Sequence, residues 1–105
     1  MQTIGSLEEM ILLVVASIET SAYGVTVTDE YNRVSDSNIS LSAVHTVLRR
    51  LEKKGFINSV MGGASAERGG RRKRLYQISR TGYEMIELIQ LNRQKIWARI
   101  PKFEF

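Results

Sequence analysis

The hydrophobic period of this chain changes from helical to alternating and back to helical, and that order leaves few folds open to it. Leu7, Met10, Ile11, Val14, Val15 and Ile18 recur at the i, i+3, i+4, i+7 spacing of a buried helical stripe. Ser6, followed three residues later by Glu9, reads as a capping box, so a first helix is predicted over residues 6–18. Its β-branched content is high, and packing rather than intrinsic propensity must hold it helical. Val27, Tyr31 and Val34 predict a second helix over residues 24–35, opened at Gly24 and ended by the polar cluster Ser35-Asp36-Ser37-Asn38. Asn38-Ile39 leaves room only for a minimal strand. A third helix is predicted over residues 41–54, between a Ser40 N-cap and Gly55 at C′, with Leu41, Val44, Val47, Leu48 and Leu51 as its buried stripe.

The period then becomes two. Phe56 to Met61 and Lys73 to Ser79 read as strands, with Tyr76 and Ile78 alternating against Lys73, Leu75 and Gln77. The connection Gly62-Gly63-Ala64-Ser65-Ala66-Glu67-Arg68-Gly69-Gly70-Arg71-Arg72 is too long for a tight hairpin, and its four glycines predict a mobile tip. After Ser79, an N-cap, a long helix is predicted from Thr81 to Ile100, stopped by Pro101. The class is therefore mainly α with a small β-hairpin, an α+β chain. Helix, helix, helix, hairpin, helix is the order of a winged helix-turn-helix with an added C-terminal helix. Residues 1–79 would form the winged-helix domain and residues 80–105 a dimerisation helix packed on it as one structural unit.

Composition removes most chemistry. With 105 residues, 43% of them hydrophobic, the chain supports one domain with one modest core. It has no Cys, which excludes disulfides, thiolate metal sites and thiol nucleophiles, and its single His leaves any catalytic triad resting on His45 alone. The expectation is no enzyme, no metal and no cofactor. The Gly-rich stretch is no nucleotide loop, because no Gly-Lys-Ser/Thr closes it and a strand follows. The longest apolar run, Met10 to Ala16, is far short of the ~18 residues that span a bilayer. Glu8 and Glu9 stand where a signal peptide would be positive, so no membrane association and a cytoplasmic location are expected.

The formal charge of +4 is unevenly placed. Residues 1–39 carry −5, residues 40–54 carry +3, residues 67–74 carry +4, and residues 75–105 add +2. Such polarity is expected of a protein that lays one face on a polyanion. In a winged helix the third helix enters the major groove while the hairpin, the wing, meets the backbone or minor groove. Both positive segments fall on those two elements.

Three segments make a family resemblance specific: Leu48-Arg49-Arg50-Leu51-Glu52-Lys53-Lys54-Gly55-Phe56-Ile57, then Arg71-Arg72-Lys73-Arg74-Leu75-Tyr76-Gln77-Ile78-Ser79, then Thr81-Gly82, with Tyr23-Gly24 opening the second helix. The first is shared by many winged helices. Together they resemble the PadR family of bacterial transcriptional regulators, over residues 5–100. Family members usually carry Tyr then Pro where this chain has His45 and Thr46, so its operator is expected to differ from the commoner pattern. Ending after one C-terminal helix, the chain resembles the short PadR group. The resemblance implies a homodimeric repressor that binds a palindromic operator in double-stranded DNA and is released by a small effector.

The expected DNA-binding residues are Ser40, Ser42, His45, Thr46, Arg49, Arg50 and Lys53 on the third helix, and Arg68, Arg71, Arg72, Lys73 and Arg74 on the wing. Tyr83, Ile86, Ile89, Ile96, Trp97 and Ile100 cover more of the last helix than a monomer of this size can bury, and a second subunit would take the surplus. With Leu7, Ile11 and Arg93 they form the expected dimer interface. Trp97 is also the expected wall of a pocket for a small aromatic or apolar effector. The alternative from another class is a winged-helix module whose basic face binds an acidic protein partner.

Overall fold

The computed structural model describes residues 3–62 and 73–105. Helices α1 (Ser6–Ile18), α2 (Gly24–Ser35) and α3 (Leu41–Lys53) are followed by strands β1 (Ile57–Met61) and β2 (Arg74–Ile78) and by helix α4 (Arg80–Trp97). A single turn of 3₁₀ helix, Glu19–Ser21, follows α1. This is the mainly α, hairpin-bearing winged helix expected from the sequence.

Helix α1 is the centre of the packing, in contact with α2, α3, β2 and α4. Its residues Ile11, Leu12 and Val15 are buried with Val44, Leu48 and Leu51 of α3 and with Phe56, Ile57 and Tyr76 of the hairpin. Helix α1 spans the expected residues, but its cap lies one residue earlier than expected. Gly5, not Ser6, is the N-cap, and the Glu8 carboxylate accepts from the Gly5 N–H at 2.7 Å. Glu9 is thereby released from the cap and buried.

Three further expectations are corrected. Val34 is 60% exposed because α2 turns Gly24, Val27 and Thr28 inward instead, and Leu41 lies at the exposed first position of α3. Asn38-Ile39 forms no strand: the Asn32 amide donates to the Ile39 carbonyl at 3.0 Å and accepts from its N–H at 2.8 Å, taking the bonds a strand would have supplied. The hairpin's extra partner is Ala22, whose carbonyl accepts from Tyr76 N–H at 2.9 Å.

The junction from α3 to the hairpin explains two glycines. Gly55 has φ +81°, a left-handed conformation that closes α3, and Phe56 N–H then reaches back to the Leu51 carbonyl at 2.9 Å. Ser79 caps α4 by accepting from Gly82 N–H, while its hydroxyl donates to the Gly55 carbonyl at 2.6 Å. A Cβ on Gly82 would lie 2.1 Å from the Phe56 carbonyl oxygen, so α4 can start against β1 only with glycine there. Helix α4 ends at Trp97, three residues before the expected Ile100, in a tight turn ahead of Pro101. The molecule is elongated, 59 × 32 × 20 Å, and every residue of α4 from Leu91 onward is exposed.

Candidate nucleic-acid interface

Helix α3 has two chemically distinct sides. Val44, Val47, Leu48 and Leu51 are buried, which forces the intervening positions outward. Ser42, Arg49, Arg50 and Lys53 are exposed, and His45 and Thr46 are half-buried beside them. Ser40 accepts from Ala43 N–H at 3.1 Å as the N-cap, and Thr46 donates to the Ser42 carbonyl at 3.2 Å. Ser40 and Thr46 thus each make one bond within the helix. Lys54, at the C-cap, binds Glu8 at 2.8 and 2.9 Å and the Thr3 carbonyl at 2.9 Å. Its charge is spent inside the fold, leaving Arg49, Arg50 and Lys53 as the outward cations of the third helix.

Burial pushes the Glu8 carboxyl up, but the Lys54 and Gly5 bonds, with the fields of Lys54 and Arg50, outweigh it and hold the group below its ordinary range. The Tyr76 phenol is raised, chiefly by burial and further by Glu52, against the opposing fields of Arg74 and Arg49.

The His45 ring lies against the backbone at the start of α2, where a Cβ on Gly24 would be 2.8 Å from its Nε2. It lines a concavity of about 500 Å³ with Tyr23, Val25, Met61, Lys73 and Arg74. The Lys73 ammonium stands 5.5 Å from the centre of the Tyr23 ring, within cation–π range. Three expected contact residues, His45, Lys73 and Arg74, are thus brought together between α2, α3 and the hairpin. Arg68, Arg71 and Arg72, with the expected mobile tip, lie outside the described residues.

The register pairs Ile57 with Ile78, Ser59 with Tyr76 and Met61 with Arg74. Arg74 Nη1 donates to Ser59 Oγ at 2.8 Å, and that hydroxyl donates to Glu52 Oε2 of α3 at 2.6 Å. Sequence reasoning missed Glu52 and Ser59. An acid in a basic run reads only as a subtraction from its charge, and the register that brings Ser59 to it requires the folded hairpin.

A model of the Transcriptional regulator PadR-like family matches residues 11–88. The chain belongs to this family. It is a family of transcriptional regulators, not of enzymes. Among solved structures the PadR fold of this chain is similar to a PadR-like transcriptional regulator from Bacillus cereus, at 22% identity and TM-score 0.71 over 88% of this chain and 84% of that one. It is similar to a PadR family regulator from Clostridium difficile at 21% identity and TM-score 0.70, over 90% and 93% of the two chains. Bacillus subtilis PadR, solved in complex with operator DNA, matches at 16% identity and TM-score 0.66, over 96% of this chain and 52% of that one. No curated protein matches the sequence.

The residues expected at a PadR dimer seam divide sharply. Ile11 is 0% exposed and Ile86 is 7% exposed, so both belong to this chain's own core and offer almost nothing to a partner. Leu7 and Ile89 are half-buried. Tyr83, Ile96, Trp97 and Ile100 are open, with Trp97 at 69%. Trp97 lines an open groove with Glu87, Leu91, Gln94 and Ile100. Arg93 is an internal anchor: its Nη2 donates to Glu9 Oε1 at 2.8 Å, and its Nη1 lies 2.6 Å from Glu9 Oε2 as an ion contact outside hydrogen-bond geometry. Among the described residues no group of His, Asp and Glu could hold a metal, and no helix is long and apolar enough to cross a membrane.

Proposed function

We propose that this PadR-family chain is a cytoplasmic, sequence-specific DNA-binding repressor that acts as a homodimer on a palindromic operator. One observation carries the reading: α3 buries Val44, Val47, Leu48 and Leu51 and turns Arg49, Arg50 and Lys53 outward beside a hairpin whose described outer end adds Lys73 and Arg74. A fold-level similarity to a regulator solved in complex with operator DNA supports the DNA-binding reading. Residues 1–79 would meet the duplex, with α3 in the major groove and the wing, Arg68, Arg71 and Arg72 included, on the flanking backbone or minor groove.

The exposed apolar end of α4, with Ile96, Trp97 and Ile100, suits a second copy of the chain, and residues 80–105 would supply that seam. A two-fold pair would set its recognition helices about 34 Å apart, one duplex turn. The groove beside Trp97 suits a small aromatic or apolar effector whose binding would release the operator.

Binding to duplex DNA, read by fluorescence anisotropy, tests the reading. Arg49→Ala and Arg50→Ala should each weaken a selected duplex about tenfold while the fold persists. Unchanged affinity in both variants at moderate salt would remove α3 from the interface. A wild-type protein that prefers no duplex over random competitor would instead fit a basic module for an acidic protein.

A further inference from the structure

The inner face of the hairpin changes character along its length. Near the base, Ile57, Tyr76 and Ile78 face the body and pack on or into the core. On the same face Ser59 lies directly opposite Tyr76, and Arg74, opposite Met61, is one step further out and exposed. There one side-chain hydrogen bond among the described ones joins the hairpin to α3, Ser59 to Glu52 at 2.6 Å, and Arg74 of β2 donates to the same Ser59 hydroxyl at 2.8 Å. A hydroxyl that donates to a carboxylate while accepting from a guanidinium is polarised in one direction, so each bond strengthens the other. Glu52 is on the penultimate residue of α3, three residues after Arg49, and the chain of bonds ties both strands to the helix proposed to enter the groove.

We propose that Glu52, Ser59 and Arg74 form a brace that fixes the angle of the wing to α3, making Glu52 and Ser59 positioning residues for the wing's contact with DNA. The inference rests on the DNA reading above and extends it. It explains why an acid is kept within a cationic helix end, where it would otherwise oppose a polyanion. It also gives Arg74 a stated job: one nitrogen is held by Ser59, which aims the remaining donors of its planar group.

Two measurements separate failure of the brace from failure of the DNA reading. The first needs no DNA. The chain has no native cysteine, so Val34→Cys on α2 and Val60→Cys on the outer face of β1 place spin labels only at those exposed sites. The label-to-label distance distribution should be narrow in the parent and broaden in Ser59→Ala and in Glu52→Ala, with Ser59→Thr restoring it. An unchanged distribution overturns the brace whatever the DNA result.

The second is hydroxyl-radical footprinting on a duplex selected by the wild-type protein. Ser59→Ala should keep protection at the centre of each half-site and lose it at the flanks, with affinity down about tenfold. Glu52→Ala decides the sign, because removing a negative charge from a cationic surface should tighten DNA binding on electrostatics alone. The brace requires the reverse: weaker binding and lost flanks. Tighter binding with intact flanks overturns the proposal, as does equal loss of centre and flanks with a lowered melting temperature, the mark of a merely structural role. A wild-type protein that selects no duplex overturns the DNA reading and the brace's purpose together, while the label distances still decide its geometry.

Discussion

Helices α3 and α4 are both amphipathic, and they leave opposite materials uncovered. Helix α3 buries Val44, Val47, Leu48 and Leu51 and exposes Arg49, Arg50 and Lys53. Helix α4 buries Gly82 and Ile86 in its first two turns, is clamped by Arg93 to Glu9, and then exposes Ile96 and Trp97 to solvent. An exposed cationic face is well solvated and attracts polyanions, whereas a contiguous exposed apolar face gains free energy when it is covered. The difference teaches that the chain exposes two surfaces of different chemistry at separate places, and the proposed function assigns DNA to the cationic one and a second copy to the apolar one.

The largest effect expected from breaking that division is at α4. Ile96→Asp combined with Trp97→Asp should cost the dimer about 4 kcal/mol or more, since charges would enter an apolar seam, and sedimentation should report a folded monomer. A retained dimer would place the seam elsewhere. Next is the root of the same helix. Gly82→Ala forces a Cβ onto the Phe56 carbonyl and should cost about 3 kcal/mol in chemical denaturation, with the hairpin and α4 displaced together.

A smaller effect sharpens the other side. Arg50→Ala should reduce the slope of log affinity against log salt by about one, because one phosphate contact is lost. The same salt series should leave the dimer nearly unchanged. The smallest expected effect is at Glu8. Its folded pKa is depressed, so its contribution is fully present above its ordinary unfolded value near 4.5 and is lost as pH falls through the folded value. Glu8→Gln should remove this acid-side loss, about 0.5 kcal/mol after solvent screening of the partly exposed Lys54, in melts from pH 6 to pH 3.

Much of the architecture was legible because it rests on period and punctuation. The boundaries of α1 and α2 follow from apolar spacing, and α3 is bracketed by Ser40 and Gly55, whose roles are local. What was not legible depends on through-space competition. Glu8 and Glu9 are equivalent in sequence, but Lys54 reaches one and Arg93 the other, which decides which of them caps α1. Ile86 reads as surplus, and Ile11 as both core and seam, because periodicity cannot separate a helix's core side from its partner side. Arg49, Arg50 and Lys53 were readable as an outward face; that Lys54 is internally paired, and that Glu52 reaches Ser59, required the tertiary arrangement.

Selection of bound duplexes from a random pool, followed by sequencing, tests the central claim most directly. The account predicts an enriched inverted repeat whose half-site centres lie about 10 base pairs apart, or a multiple of that, matching a two-fold pair of α3 helices. A pool that emerges with no sequence enriched over the input would contradict it.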